Sequence, residues 1–168
     1  YGHYDSVGAW QSQESPYYAW YTFKHYPDTY ACWWGIPSLP ECRKENPDYQ
    51  QFMFRDKEGV VPRWIDRGAA GWRLDVADEL SMDFLRKLRA AAKRAKRDAV
   101  VLGEVWEDAS NKISYGELRC YCTGDTLDSV MNYPLREAIL DFVTGKSNAH
   151  ALARLINHQG EVYPAQFR

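Results

Sequence analysis

The sequence predicts an α/β fold built on a parallel sheet or barrel, and three observations carry that reading. Strand-like runs at 72–76, 99–103 and 127–132 alternate with stretches of helical period. The second run, Ala99-Val100-Val101-Leu102-Gly103, is apolar without alternation, as strands covered on both faces are. The resulting order of strand, helix, strand, helix, strand, helix is that of parallel strands joined by crossover helices.

Taken in order, residues 1–45 come first, with 12 of the 25 aromatic residues crowded into positions 1–34. Gly, Pro, Ser and Asp interleave them without a period of 2 or 3.6, so the segment reads as a long irregular loop. It is too aromatic for disorder. Either a lid stapled by its own rings or the wall of a pocket for a flat, partly apolar ligand fits it. The remainder, 46–168, is the α/β part. Asn46 and Pro47 suit the start of a helix carrying Tyr49, Phe52 and Met53. Gly59 and Pro62 are expected to interrupt. A second helical piece with Val61, Trp64 and Ile65 stops at Gly68. Trp72-Arg73-Leu74-Asp75-Val76 is the first strand. Ser81 caps a helix over 82–97, apolar at Phe84, Leu85, Leu88, Ala91, Ala92 and Ala95 and basic on its other face. The second strand ends at Glu104. A polar stretch, 107–126, is given a short helix near 114–120. Leu127 to Asn132 is the third strand, followed by helices over 134–144 and 147–157.

Bulk properties remove several function classes. Of the 168 residues 26% are charged, and the net charge of −2 supplies no field to draw the chain to nucleic acid; the basic helix face reads as a solvated surface. No run reaches the roughly 18 apolar residues of a membrane span. Cys32, Cys42, Cys120 and Cys122 form no CxxC pair, which argues against zinc and for free thiols, and a cytoplasmic origin fits. The chain opens on Tyr1 inside a polar-aromatic segment and is read as a piece of a longer protein.

Charge inside a strand is costly unless something uses it. Asp75 and Glu104 are 29 residues apart, one strand-helix-strand step, so both lie at the C-terminal ends of neighbouring parallel strands, where α/β sheets and barrels build their sites. Strands about 4.8 Å apart allow two such carboxylates to approach the ~5–5.5 Å of a retaining glycosidase. Arg73, on the same side as Asp75 by the period of two, favours the ionised form a nucleophile requires. Glu104, after an apolar run and before Val105-Trp106, is expected to have its pKa raised by apolar surroundings, as an acid requires. A structural Arg–Asp pair is the plainer alternative.

The segments GWRLDVADE, GEVW and DSVMNYP, with CWWG and LP at 32–40, closely resemble the alpha-amylase family of glycoside hydrolases, in the neopullulanase, cyclomaltodextrinase and maltogenic amylase branch. The resemblance implies a (β/α)8 barrel, of which the chain holds about strands 4 to 6, with 1–45 as the loop after strand 3. It implies cleavage of α-glucosidic bonds with retention, an oligosaccharide substrate, no required cofactor and calcium as a possibility. Asp75 matches the nucleophile, Glu104 the acid/base and Arg73 the arginine that orients the nucleophile. Glu79 and Trp106 match substrate-binding positions on the acceptor side of the cleft, and Asp128, Asn132 and Tyr133 match further ones. The chain departs from the family at Ala70, Glu107 and Glu41-Cys42-Arg43. The family's third carboxylate is expected after Arg168, so the piece alone is expected to be inactive and, with open strand edges, to self-associate. Two rivals remain. One is an enolase-type lyase holding magnesium on Asp75, Glu104 and Asp128. The other is a non-catalytic carbohydrate-binding protein on the same fold.

Overall fold

The computed structural model describes residues 6–167. The chain divides into two compact units, one up to Met53 and one from Phe54 onward.

In the first unit aromatic rings replace an aliphatic core. A hairpin of β1 (Phe23–His25) and β2 (Thr29–Tyr30) is antiparallel, and single-turn 3₁₀ helices cover Tyr18–Trp20 and Trp33–Gly35. Trp10 meets Tyr21, Phe23 and Tyr30 edge-on, with ring centroids 4.7, 5.1 and 4.8 Å away, and Tyr18 stacks on Phe23. The segment expected to be irregular thus contains a hairpin, too short to leave a period of two in the sequence. Asn46 accepts hydrogen bonds from the Asp48 and Tyr49 amides and starts α1 (Pro47–Phe54). Trp20 packs on Tyr49 and Phe52, so most of α1 belongs with the aromatic unit and the boundary falls at 53/54, not 45/46.

The second unit opens with α2 (Val60–Asp66), with Gly59 as its N-cap and Gly68 left-handed beyond its end. Pro62 lies in the first turn, where an amide N–H has no intrahelical partner, so it sits inside the start of the helix and interrupts nothing. Then come β3 (Gly71–Leu74), α3 (Met82–Ala95, capped by the Ser81 hydroxyl) and β4 (Val100–Gly103). The stretch given a short helix near 114–120 is instead a two-rung hairpin, β5 (Ile113–Ser114) and β6 (Glu117–Leu118). Its turn, Tyr115-Gly116, has φ of +53° and +77°. Two consecutive left-handed residues fit the twist of a tight hairpin. A tyrosine in the first of them hides the signal, which ordinarily reads Asn-Gly. The third parallel strand, β7 (Ser129–Val130), is shorter than 127–132, and α4 (Tyr133–Val143) and α5 (Ala149–Val162) follow, each capped by an asparagine.

The sheet order is β3-β4-β7, all parallel. The apolar face of α3 (Leu85, Leu88, Ala91, Ala92) is buried, as are Leu74 and Val101 of the sheet, and Phe54 packs on Phe84. The basic face is occupied by ion pairs: Arg86 with Asp125, Lys87 with Asp83, Arg94 with Asp56. All four cysteines are unbridged. Among the described residues no helix is long and apolar enough to cross a membrane.

Gly71 sets how closely β3 approaches β4. A Cβ there would lie 1.9 Å from the Val100 carbonyl oxygen, a backbone atom that cannot step aside. Gly71→Ala is expected to cost about 3 kcal/mol, read as a lower urea midpoint at unchanged slope.

Candidate active site

β3 and β4 pair in register with Leu74 opposite Gly103, which sets Asp75 and Glu104 one residue past the paired ends. The backbone locks that alignment: the Glu104 amide donates to Leu74 O at 2.9 Å, and the Ala77 amide donates to Glu104 O at 2.9 Å. Arg73 bridges the two acids. Its Nη1 binds Asp75 Oδ1, and its Nη2 lies 3.0 Å from Glu104 Oε1. The Met131 sulfur accepts from Arg73 Nε at 3.4 Å. Two carboxylates thus share one guanidinium.

Their surroundings differ. The Asp75 side chain is 77% exposed and that of Glu104 10%. Val76 turns into the left-handed region at φ +42°, a costly conformation for a β-branched residue, at about 1–3 kcal/mol. That turn aims its amide at Glu104 Oε2, 2.9 Å away. The Tyr133 hydroxyl donates to Glu104 Oε1 at 3.0 Å, and the Trp106 side chain also hydrogen-bonds this carboxylate.

These donors reverse the expected titration of Glu104. The Val76 amide foremost, with Trp106, Tyr133 and the Arg73 charge, outweighs burial and holds the carboxyl below the usual glutamate range. Apolar neighbours in sequence did raise the expectation of a high pKa, but the carboxylate itself is ringed by donors from other segments. The same contacts raise the pKa of Tyr133, whose hydroxyl faces an anion.

The other sequence candidates divide. Tyr133 and Trp106 converge on Glu104, and Trp106 keeps 44% of its surface open. Glu79 ends the 3₁₀ turn Ala77–Glu79 and accepts from the Tyr115 hydroxyl. Asn132 is committed to structure: its Oδ1 caps α4 at Leu135 N, and its amide exchanges two 2.9 Å hydrogen bonds with Gln159. Asp128 lies before β7, at the opposite end of the sheet from the carboxylate pair. It accepts from Arg89 (2.9 Å), Lys93 (2.8 Å) and the Val101 amide (2.9 Å). It is therefore a clamp between α3 and β4 and not a substrate contact, and the three acids that a magnesium lyase would use do not converge. Burial pushes the Asp128 carboxyl up, but Lys93, the Val101 amide and Arg89 together hold it below the usual range. A depressed folded pKa stabilises above the unfolded value near 3.9 and is lost as pH falls through the folded one. Asp128→Asn is thus expected to cost about 1–2 kcal/mol at pH 7, with the difference from wild type closing below pH ~3.9, read by urea denaturation across that range.

Sequence reasoning missed the ties between the loop after β3 and the connection from β4 to β7. Tyr121 donates to Asp78 Oδ1 at 2.5 Å, and Lys112 lies 3.3 Å from Asp78 Oδ2. Arg119, only 4% exposed, reaches Leu80 O. Spacing carries no trace of such pairs, which meet 34 to 43 residues apart. For calcium, the described residues offer no group of three or more His, Cys, Asp or Glu side chains that could hold a metal ion.

The chain is similar to known proteins over nearly its whole length. The alpha amylase catalytic domain matches residues 8–163. Amylopullulanase of Thermoanaerobacterium saccharolyticum is 36% identical over 165 residues, covering 88% of this chain and 12% of that protein. Neopullulanase 2 of Thermoactinomyces vulgaris is 32% identical, with 93% and 26% covered. The structure of the cyclic alpha-maltosyl-(1→6)-maltose hydrolase of Arthrobacter globiformis in complex with maltose superposes at a TM-score of 0.81 and 30% identity, over 95% of this chain and 35% of that one. The chain thus spans about an eighth to about a quarter of the length of these curated relatives. A match over nearly the whole chain, on a sheet that aligns an Arg-x-Asp strand with a Gly-Glu strand, means that the chain belongs to the alpha-amylase catalytic-domain family, its three parallel strands being part of a (β/α)8 barrel.

Proposed function

We propose that the protein of which this chain is part is a retaining glycoside hydrolase of α-glucans, acting on maltodextrins, cyclodextrins or pullulan-type substrates by double displacement. The observation that carries the reading is the single guanidinium shared by Asp75 and Glu104 at aligned strand ends. Asp75 Oδ attacks the anomeric carbon as the bond to the glycosidic oxygen breaks, and Glu104 gives its proton to that oxygen. Glu104, now a carboxylate, takes a proton from water, and that water displaces Asp75 with a second inversion. Because Glu104 rests as an anion, the proton it delivers is acquired as bound sugar excludes water from the site and disfavours charge. The substrate class is supported by relatives named amylopullulanase, neopullulanase and cyclomaltodextrinase.

The test follows product stereochemistry by proton NMR. The full-length protein should release the α-anomer first from maltohexaose or a cyclodextrin, while residues 1–168 alone, lacking the third carboxylate the family resemblance implies, should turn over neither. First appearance of the β-anomer would overturn double displacement, and robust turnover by the isolated 168 residues would overturn the need for a further carboxylate.

A further inference from the structure

We propose that Lys112 is a positioning residue for the reaction: it ties the loop after β3 to the segment after β4 and so holds the Val76 amide and Trp106 on the Glu104 carboxylate. It acts through these neighbours and not on the sugar. The proposal rests on the hydrolase reading above for what Glu104 does, and adds to it a residue outside the motifs that carry the family resemblance.

Lys112 stands just before β5 and is anchored there, its carbonyl accepting from the Arg119 amide at 2.8 Å. Its ammonium meets two carboxylates from two different segments, Asp78 Oδ2 at 3.3 Å and Glu107 Oε2. The Lys112 and Asp78 side chains are 15% and 17% exposed, that of Glu107 60%. Burial disfavours the Lys112 charge, but Glu107 and Asp78 outweigh it and hold the ammonium above the usual lysine range. The tie is therefore charged at neutral pH, and its inner half is shielded from the screening that weakens surface pairs. Glu107 is one of the positions where the chain departs from the family pattern, so the strut is not part of that pattern.

The strut closes a ring around Glu104. On one side Asp78 lies in the 3₁₀ turn Ala77–Glu79, two residues after Val76. Both its oxygens are engaged, Oδ1 by the Tyr121 hydroxyl at 2.5 Å and Oδ2 by Lys112, which fixes the turn against rotation. The Glu79 amide, 2.9 Å from Val76 O, carries that fixity back to Val76, whose left-handed backbone at φ +42° persists only where its surroundings hold it. On the other side Glu107 follows Trp106, whose side chain hydrogen-bonds Glu104. The Val76 amide reaches the same carboxylate at 2.9 Å and completes the ring. Arg119 on Leu80 O and Tyr121 on Asp78 already fasten the hairpin to the loop after β3. What Lys112 adds to them is the reach to Glu107, beside Trp106. The other groups on Glu104, Arg73 of β3 with its partner Asp75 and the Tyr133 hydroxyl of α4, come from outside this ring.

The experiment follows the Glu104 carboxyl in the full-length protein by carbon-13 NMR, its signal assigned by its loss in Glu104→Gln, together with kcat and KM on maltohexaose. Lys112→Met, of similar length without the charge, is expected to raise the titration midpoint of Glu104 by about one pH unit as its donors loosen. It should lower kcat about tenfold, with KM within about twofold of wild type. Lys112→Arg should recover most of both. Glu107→Ala separates position from charge: loss of a nearby negative charge alone lowers the midpoint of a carboxyl, whereas loss of the strut raises it. The expected result is a rise in both Lys112→Met and Glu107→Ala. An unchanged midpoint in Lys112→Met, or no rise in Glu107→Ala, overturns the proposal, and so does a melting temperature that drops while kcat and midpoint stay at wild type. Should Lys112→Met fail to fold, Glu107→Ala, at the exposed end of the strut, decides alone by a rise or its absence. If wild type cleaves no α-glucan, the hydrolase reading fails separately, and the titration still decides this one.

Discussion

Asp75→Asn is expected to lower kcat by about 10⁴- to 10⁶-fold, the loss that follows removal of a covalent nucleophile, with little change in thermal midpoint. The two halves come from the same geometry. Asp75 is the outward member of the carboxylate pair, 77% exposed, and its ion pair with Arg73 lies in solvent, where such pairs contribute little to stability. Its amide isostere keeps the shape but has no charge to attack the anomeric carbon. Asp75→Ala separates a nucleophile from an electrostatic bystander. Azide added to that variant enters the vacated space and attacks once, giving a β-glycosyl azide from an α-glucan. Measured by product NMR, an α-glycosyl azide or residual turnover above a few per cent would show that Asp75 does not form the covalent bond. A melting temperature that collapses with activity would place Asp75 in the scaffold instead.

The parts of this molecule that could be read from the sequence are those governed by neighbours along the chain. The caps at Asn46 and Ser81, the apolar stripe of α3, the strand position of Arg73 and the places of Asp75 and Glu104 at strand ends all follow from local period and local chemistry, although β3 stops at Leu74, short of the expected Val76. What could not be read depends on residues that meet from afar. Glu104 follows an apolar run, yet its carboxylate is set by Val76, 28 residues earlier, and Tyr133, 29 later. Asp128 belongs to a motif of substrate-binding type but finds Arg89 and Lys93 of α3 at the other end of the sheet. The β5–β6 hairpin was hidden because a tyrosine occupies a left-handed position where glycine or asparagine ordinarily announces the turn. In each case the side chain was identified correctly as polar or aromatic, and its partner decided what it does.

Glu104→Gln should cost about 10²- to 10⁴-fold in kcat on maltodextrins, the usual worth of a general acid. The loss should be far smaller on a 2,4-dinitrophenyl α-glucoside, whose leaving group departs without a proton. Such a selective loss separates an acid from a residue that only binds or supports, because a structural defect slows both substrates alike. The pH dependence adds an independent check. In the free protein the Val76 amide, Trp106, Tyr133 and Arg73 favour the Glu104 anion, so its pKa lies below the usual value of about 4.3. Bound sugar that excludes water favours the neutral form and raises it. The basic limb of kcat, which reports the substrate complex, should therefore fall at higher pH than the basic limb of kcat/KM, which reports the free protein. Glutamine neither titrates nor donates a transferable proton, so on maltodextrins the variant's residual rate should lose the basic limb that wild type shows. Tyr133 and the Val76 amide would still hydrogen-bond its side-chain oxygen, and the cleft should keep its shape. Equal losses on good and poor leaving groups, with the basic limb intact, would mean that the proton comes from elsewhere and that the ring of donors around Glu104 serves the fold alone.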